Sequence, residues 1–237
     1  MKKKIDLSPN YSSKTRQKKN IKFVVIHYTG MQSEIESLKR LKSTKSKVSC
    51  HYFINRKGTI IQMVHDNRVS WHAGKSKWKS FNNLNENSIG IELVNKGHEF
   101  EYQSFSKPQI KSLITLCKVL RKKYKIKKEN ILGHSDIAPL RKKDPGEKFP
   151  WEKLSKLYLG IWYKIKKKNF NPVGKKKIEN LFFKNLHKIG YRYFTINKRK
   201  RNDKLIIKAF QQRYFPRKVT GKIDQKTYKI SHFLANQ

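Results

Sequence analysis

The chain has 237 residues and a formal net charge of +41, with 46 Lys against 11 Arg. That length holds one ordinary domain and a small second one, and no apolar run is long enough to cross a membrane as a helix. The two cysteines, Cys50 and Cys117, exclude a disulfide framework and a Cys-type metal site; the charge favours anionic partners, but a Lys-rich composition also follows from genome bias, so it selects no function.

Residues 1–20 (MKKKIDLSPNYSSKTRQKKN) are basic and lack the apolar segment of an ordinary secretory signal. They read as a poorly ordered arm leading into the first strand. Residues 21–28 (IKFVVIHY) are apolar and rich in β-branched side chains, the pattern of a buried strand, with His27 near its end. Ser33 opens S-E-I-E, a capping-box pattern, and Ile35, Leu38 and Leu41 follow at helical spacing. SCHYFINRKGTIIQMV reads as two strands joined at Arg56-Lys57-Gly58. A further strand is predicted over 88–95 (SIGIELVN). Ser106 with Pro108 in the first turn starts a long helix whose apolar face is Ile110, Leu113, Ile114, Cys117, Leu120 and Tyr124. NILGH is a short strand that ends at His134. Strands and helices alternate in type, so the domain over 21–162 is expected to be α/β, a mixed central sheet flanked by helices.

Residues 163–173 are basic, with Asn-Pro and Gly, and read as a linker. Beyond them, over 174–237, three short helices are predicted as a small, separate all-α module. The first has Ile178, Leu181, Phe182, Leu186 and Ile189 on one face and closes at Gly190. The second is capped by Asp203 with Leu205, Ile206, Ala209 and Phe210 inward, and the third begins at Asp224.

Three side chains are candidates for one metal centre: His27, His134 and Asp144. A catalytic zinc site takes three protein ligands and keeps a fourth position open. Both histidines fall at predicted strand ends, and the loop GHSDIAPLRKKDPG is long enough to fold back with Asp144. Spacing alone leaves a second reading open, that each histidine is a hydrogen-bonded structural residue. Glu92 is an acid within an apolar strand, which is costly unless it is paired or functional. It reads either as a salt-bridged residue or as a general base. Lys142, two residues before Asp144, reads either as a solvated lysine or as a charge that stabilises an oxyanion.

In order along the chain, VVIHYTG, VSCHYFINRKGTIIQMV, SWHAGKSKW, NSIGIELVN and ILGHSDIAPLRKKDPGEKFPW resemble the zinc-dependent N-acetylmuramoyl-L-alanine amidases of the amidase-2 type, relatives of the peptidoglycan recognition proteins. The match covers roughly residues 20–162 and leans towards the amidase D-like subgroup and the anhydro-muropeptide amidases. The resemblance implies one zinc ion per chain on His27, His134 and Asp144, with Glu92 as the catalytic acid/base and Lys142 stabilising the transition state. It also makes Trp71 and His72 candidates for substrate contact. His51, where some relatives carry a tyrosine near the metal, is either a third such contact or structural. LHKIGY, IIKAFQQRYF and TGKIDQKTY resemble a three-helix peptidoglycan-binding module.

The function implied is hydrolysis of the amide between N-acetylmuramic acid and L-alanine in peptidoglycan or muropeptides, by a monomer. The alternatives are an anhydro-muropeptide-specific recycling amidase and a non-catalytic peptidoglycan-binding protein. No nucleic-acid motif accompanies the charge, so no specific nucleic-acid partner is expected. Location stays open: the N-terminus suggests the cytoplasm, and the substrate suggests the periplasm or the cell wall.

Overall fold

The computed structural model describes residues 3–164 and 174–237. The linker expected over 163–173 therefore lies, from 165 onward, outside the described residues. In chain order the elements are β1 (Lys3–Ile5), β2 (Tyr11–Thr15), β3 (Phe23–Tyr28), α1 (Glu34–Lys42), β4 (Tyr52–Ile54), β5 (Ile60–Gln62), β6 (Arg68–Ser70), β7 (Lys77–Trp78), β8 (Phe81–Asn82), β9 (Ser88–Leu93) and α2 (Lys107–Tyr124). Then follow β10 (Ile131–Gly133), α3 (His134–Ile137), α4 (Trp151–Ser155), α5 (Lys175–Ile189), α6 (Asp203–Tyr214) and α7 (Gln225–Ala235).

Six strands make one mixed sheet in the order β1-β5-β4-β9-β3-β10. The β4–β5 pair is the predicted hairpin and is antiparallel; every other pairing in the sheet is parallel. Strands β3 and β9 are interior, each paired on both sides, and their near-continuous Val and Ile reflect cover on both faces. Val24, Ile26, Ile89 and Ile91 pack towards Leu113, Cys117 and Leu120 of α2. Phe23 and Val25 pack on the opposite face. Ser106 caps α2 by accepting a hydrogen bond from the Gln109 backbone N–H at 3.3 Å, and Ser33 caps α1 through the Glu36 N–H at 3.1 Å. Ile35 departs from its expected inward place: it is 66% exposed, while Leu41 carries the packing of this short helix.

The N-terminal residues are not a loose arm. β1 adds to the sheet alongside β5, and β2 pairs with β6. Arg16 is buried, and its guanidinium donates to the carbonyls of Asp66, Asn85, Glu86 and Ser88. The residues of β1 are Lys-Lys-Ile at an edge, where lysine is the usual side chain. Pairing there is decided by the vacant side of β5 and leaves no mark in local composition.

The C-terminal helices do not form a separate core either. Phe182, Leu186, Tyr191, Phe210 and Leu234 share one continuous apolar cluster with Phe23, Val25, Trp78, Leu84 and Leu132 of the sheet domain. The rings of Trp78 and Tyr191 meet edge to face, 5.0 Å between centroids. Gly190, at φ +141°, lets this approach happen, because a Cβ there would run into the Trp78 indole. Asp224 caps α7 as expected, accepting from the Thr227 N–H at 2.8 Å. Asp203 is the first residue of α6 rather than its cap and accepts from the Lys200 N–H. Leu205 is 39% exposed, and Ile207 is buried in its stead.

Candidate metal centre and its pocket

His27 and Glu92 are register partners on the neighbouring parallel strands β3 and β9, so both side chains leave the same face of the sheet. On the far side of β3, Gly133 of β10 is in register with Ile26, which places His134 beside His27. The Ser135 N–H donates to the Asp144 carbonyl at 2.8 Å, and this bond folds the loop back so that Asp144 faces both histidines. The sheet and one loop thus bring together residues more than 100 positions apart.

The ligand atoms of His27, His134 and Asp144 all lie within 4.8 Å of one another. His27 Nδ1 is 2.9 Å from His134 Nδ1, and Asp144 Oδ2 is 3.1 Å and 3.0 Å from the two. Zinc–ligand distances near 2.0–2.2 Å put tetrahedral ligands roughly 3.3 Å apart, so these spacings suit one small divalent ion.

Hydrogen bonds behind the rings fix the tautomers. The Leu84 carbonyl can only accept, so the Ser88 hydroxyl, 2.5 Å away, donates to it. Ser88 Oγ then accepts from His72 Nε2–H at 3.0 Å, which leaves His72 Nδ1 as an acceptor. His72 Nδ1 lies 2.9 Å from His27 Nε2, so His27 carries its proton there. His134 Nε2 faces the Ala73 carbonyl at 3.1 Å, nearer than the Arg141 Nη2 donor at 3.4 Å, and the shorter contact assigns the proton to this nitrogen. Both Nδ1 atoms therefore present lone pairs to each other and to a carboxylate. Three acceptors with no donor converge on one point, the donor set that a cation completes. Burial and the adjacent His134 push the His27 imidazole down to about 4, in keeping with a neutral ring.

Glu92 sits beside this trio in a different state. Its Oε2 is buried and has no hydrogen-bond partner among the described residues. Burial, aided by the Asp144 charge, raises its carboxyl to about 8, while Lys142 pulls the other way. A carboxyl with that proton affinity can both accept and return a proton near neutral pH.

The trio opens into a cavity of about 460 Å³. Its walls include Trp71, Lys142 and Glu92, all singled out in the sequence, together with Arg40, Lys96 and Arg141, which were not. Arg141 adjoins Lys142 in the same motif loop, a signal that was available; Arg40 and Lys96 carry no mark in a chain with this many cations. His72 also borders the cavity, but both its ring nitrogens are occupied by His27 and Ser88, so its role is behind the trio. Gly90 makes room for that ring, since any Cβ there would overlap it. His51 is not at the cavity. It is fully buried, its Nδ1 accepts from the Gly90 N–H at 3.0 Å, and its Nε2 contacts Arg16 and the Arg68 carbonyl. A histidine tied to the backbone of β9 in this way has no nitrogen left for a substrate.

A mixed α/β sheet bearing two imidazoles and a carboxylate around one point, with a proton-accepting carboxyl alongside, is the arrangement of a metal-assisted hydrolase. The model of the family N-acetylmuramoyl-L-alanine amidase matches residues 17–147, and the chain belongs to that family. It is thus a hydrolase of the amide between N-acetylmuramic acid and L-alanine. Zinc binding is typical of the family, and His27, His134 and Asp144 are the trio able to hold such an ion here. N-acetylmuramoyl-L-alanine amidase AmiD of Escherichia coli K12 is 35% identical over 229 residues, 90% of this chain and 82% of the relative. The 1,6-anhydro-N-acetylmuramyl-L-alanine amidase AmpD of Haemophilus influenzae is 44% identical over 108 residues, 45% of this chain and 56% of the relative. Among solved structures, E. coli AmiD in complex with the substrate anhydro-N-acetylmuramic acid-L-Ala-D-gamma-Glu-L-Lys aligns with TM-score 0.80 and 31% identity, covering 96% of this chain and 93% of that one. AmpDh3 of Pseudomonas aeruginosa aligns with TM-score 0.80 at 28% identity, covering 96% of each chain.

Proposed function

We propose that this amidase uses one zinc ion on His27, His134 and Asp144 to release stem peptides from muropeptides, with Glu92 moving the proton and Lys142 facing the developing oxyanion. The observation that carries the reading is the convergence of two proton-free Nδ1 atoms and a carboxylate beside the high-affinity carboxyl of Glu92. When bound, zinc would polarise the scissile carbonyl and acidify a water molecule.

The chain's own residues do the rest. Glu92 takes a proton from the attacking water as its oxygen bonds to the lactyl carbonyl carbon. The carbonyl electron pair moves to oxygen, where the Lys142 ammonium stabilises the charge. Glu92 then returns the proton to the L-alanine nitrogen as the C–N bond breaks. A muramyl carboxylate and a peptide with a free N-terminus leave the site.

The cavity suits such a substrate. Arg40 on its wall matches a carboxylate of a stem peptide, with Lys96, paired to Glu101, and Arg141, held by the Ala73 and Lys75 carbonyls, adding positive charge; Trp71 offers an apolar face for a sugar ring. A related amidase has been solved with an anhydromuramic pentapeptide, which supports anhydro-muropeptides as one substrate class. Purified peptidoglycan and anhydro-muropeptides, each digested with and without a zinc chelator and read by mass spectrometry, test the proposal. Chelator-sensitive release of peptides beginning at L-alanine is expected. Absence of release from both substrates by zinc-loaded protein would sink it. Glu92→Gln should keep zinc and lose at least about 10²-fold in turnover.

A further inference from the structure

We infer that the C-terminal helices hold the metal ligand His134 in place, through a buried cluster of Asp136, Tyr191 and Arg213, in addition to anything they bind. The inference rests on the reading of His134 as a metal ligand.

Asp136 lies two residues beyond His134, within the same first turn of α3. Its Oδ2 accepts the Gly133 backbone N–H at 2.7 Å, which fixes the peptide that leads into His134. Among the described residues, no side chain of the sheet domain bonds to that carboxylate. Its Oδ1 accepts the Tyr191 hydroxyl at 2.5 Å, from the segment just past α5. Its Oδ2 is also ion-paired with Arg213 Nη1 of α6. All three side chains are almost fully buried.

Arg213 has a second grip. Its Nη2 donates to the Ile131 carbonyl at 3.0 Å, at the start of β10. Its guanidinium also lies over the Trp151 ring, 4.0 Å from the centroid. One side chain from α6 therefore holds the strand before His134, and the carboxylate after it, at the same time. Among the described residues β10 is an edge strand paired only to β3, so its outer side depends on this contact for a fixed position. Because Ser135 N–H binds the Asp144 carbonyl, a shift of this turn would move two ligands together. Outer residues that orient metal ligands typically set 10–100-fold in metal affinity.

A stabilising role alone would predict something different, and full-length variants separate the two. Zinc affinity is measured by competition with a chromophoric chelator, and stability by thermal melting of the metal-free protein. Tyr191→Phe removes one hydroxyl, and the double variant Asp136→Leu with Arg213→Met replaces the ion pair without leaving a lone buried charge. Leu234→Ala in α7 loosens the shared core without touching Asp136. The expectation is zinc binding about 10-fold or more weaker in Tyr191→Phe and in the double variant, with Leu234→Ala binding zinc like the wild type despite a lower melting temperature. Unchanged zinc affinity in a folded Tyr191→Phe protein would overturn the inference, as would equal weakening by Leu234→Ala. Should the double variant fail to fold, Tyr191→Phe decides. A wild-type chain that binds no zinc would remove the metal reading and this inference with it.

Discussion

Glu92 shows what the site costs the fold. Its carboxyl is raised to about 8 in the folded chain, above its ordinary value of 4.5. Below about pH 4.5 the group is protonated in both folded and unfolded chains and costs nothing. Between there and about pH 8 the unfolded chain gives up its proton first, so stability falls as pH rises. In metal-free protein, Glu92→Gln should be more stable than the wild type at pH 8.5, on the order of 2–3 kcal/mol after allowance for partial exposure, and equal to it near pH 4. Urea denaturation at the two pH values checks this, and equal gains at both would contradict it. His72 is the second residue with a definite role. It orients His27 through the chain of bonds ending at Leu84, so His72→Ala should weaken zinc binding about 10–100-fold, read by chelator competition, with the cavity otherwise intact. In the sequence, WHAG drew attention to His72 as a substrate contact; the structure adds its bonds to His27 and Ser88. Residue type and neighbourhood mark a histidine as special; only the three-dimensional partners of its two nitrogens say which side of the ligand it serves.

Among the elements, β9 does the most. Ser88, Gly90 and Glu92 alternate along it on the face that carries the site, while Ile89, Ile91 and Leu93 pack below. Ser88 anchors the hydrogen-bond chain, Gly90 leaves space for the His72 ring, and Glu92 brings its carboxyl beside the trio. Gly90→Ala should displace that ring and reproduce the zinc defect of His72→Ala. Overpacking at a site this tight also costs about 1–3 kcal/mol, visible as a lower melting temperature. Normal zinc affinity in that variant would show that the ring has another place to go. The elements themselves were largely legible. The apolar runs of β3 and β9, the hairpin at Arg56-Lys57-Gly58 and the capped helix α2 follow from hydrophobic period and caps. Elements at the margin were not. β1 is three residues long and basic, and it exists as a strand because β5 offers an edge, a fact recorded 55 residues further on.

For the molecule as a whole, the trio was legible because the five motifs arrive in order, whereas the relation between the two halves was not. An amphipathic stripe such as Ile178, Phe182 and Leu186 of α5 states that a helix is covered, never by what. Here the cover is the other two helices and the sheet domain together. The shared cluster and the buried Asp136–Arg213 pair predict one cooperative unfolding transition for metal-free protein, seen together by far-ultraviolet circular dichroism and calorimetry. Two resolved transitions would mean that the halves fold apart. Arg213→Met alone should lower stability by about 3–5 kcal/mol, because it strands the Asp136 charge in the interior.

The joint at Trp78 and Tyr191 also bears on protein engineering. A cut at the linker would divide the chain into a sheet piece and a helical piece. In this chain the cut would uncover Phe23, Val25, Trp78 and Leu132 on one partner and Phe182 and Phe210 on the other. Each fragment would carry an adhesive surface into solution. A chimera built from this amidase would need to keep α5–α7 as part of the catalytic piece and attach any new targeting module outside that unit.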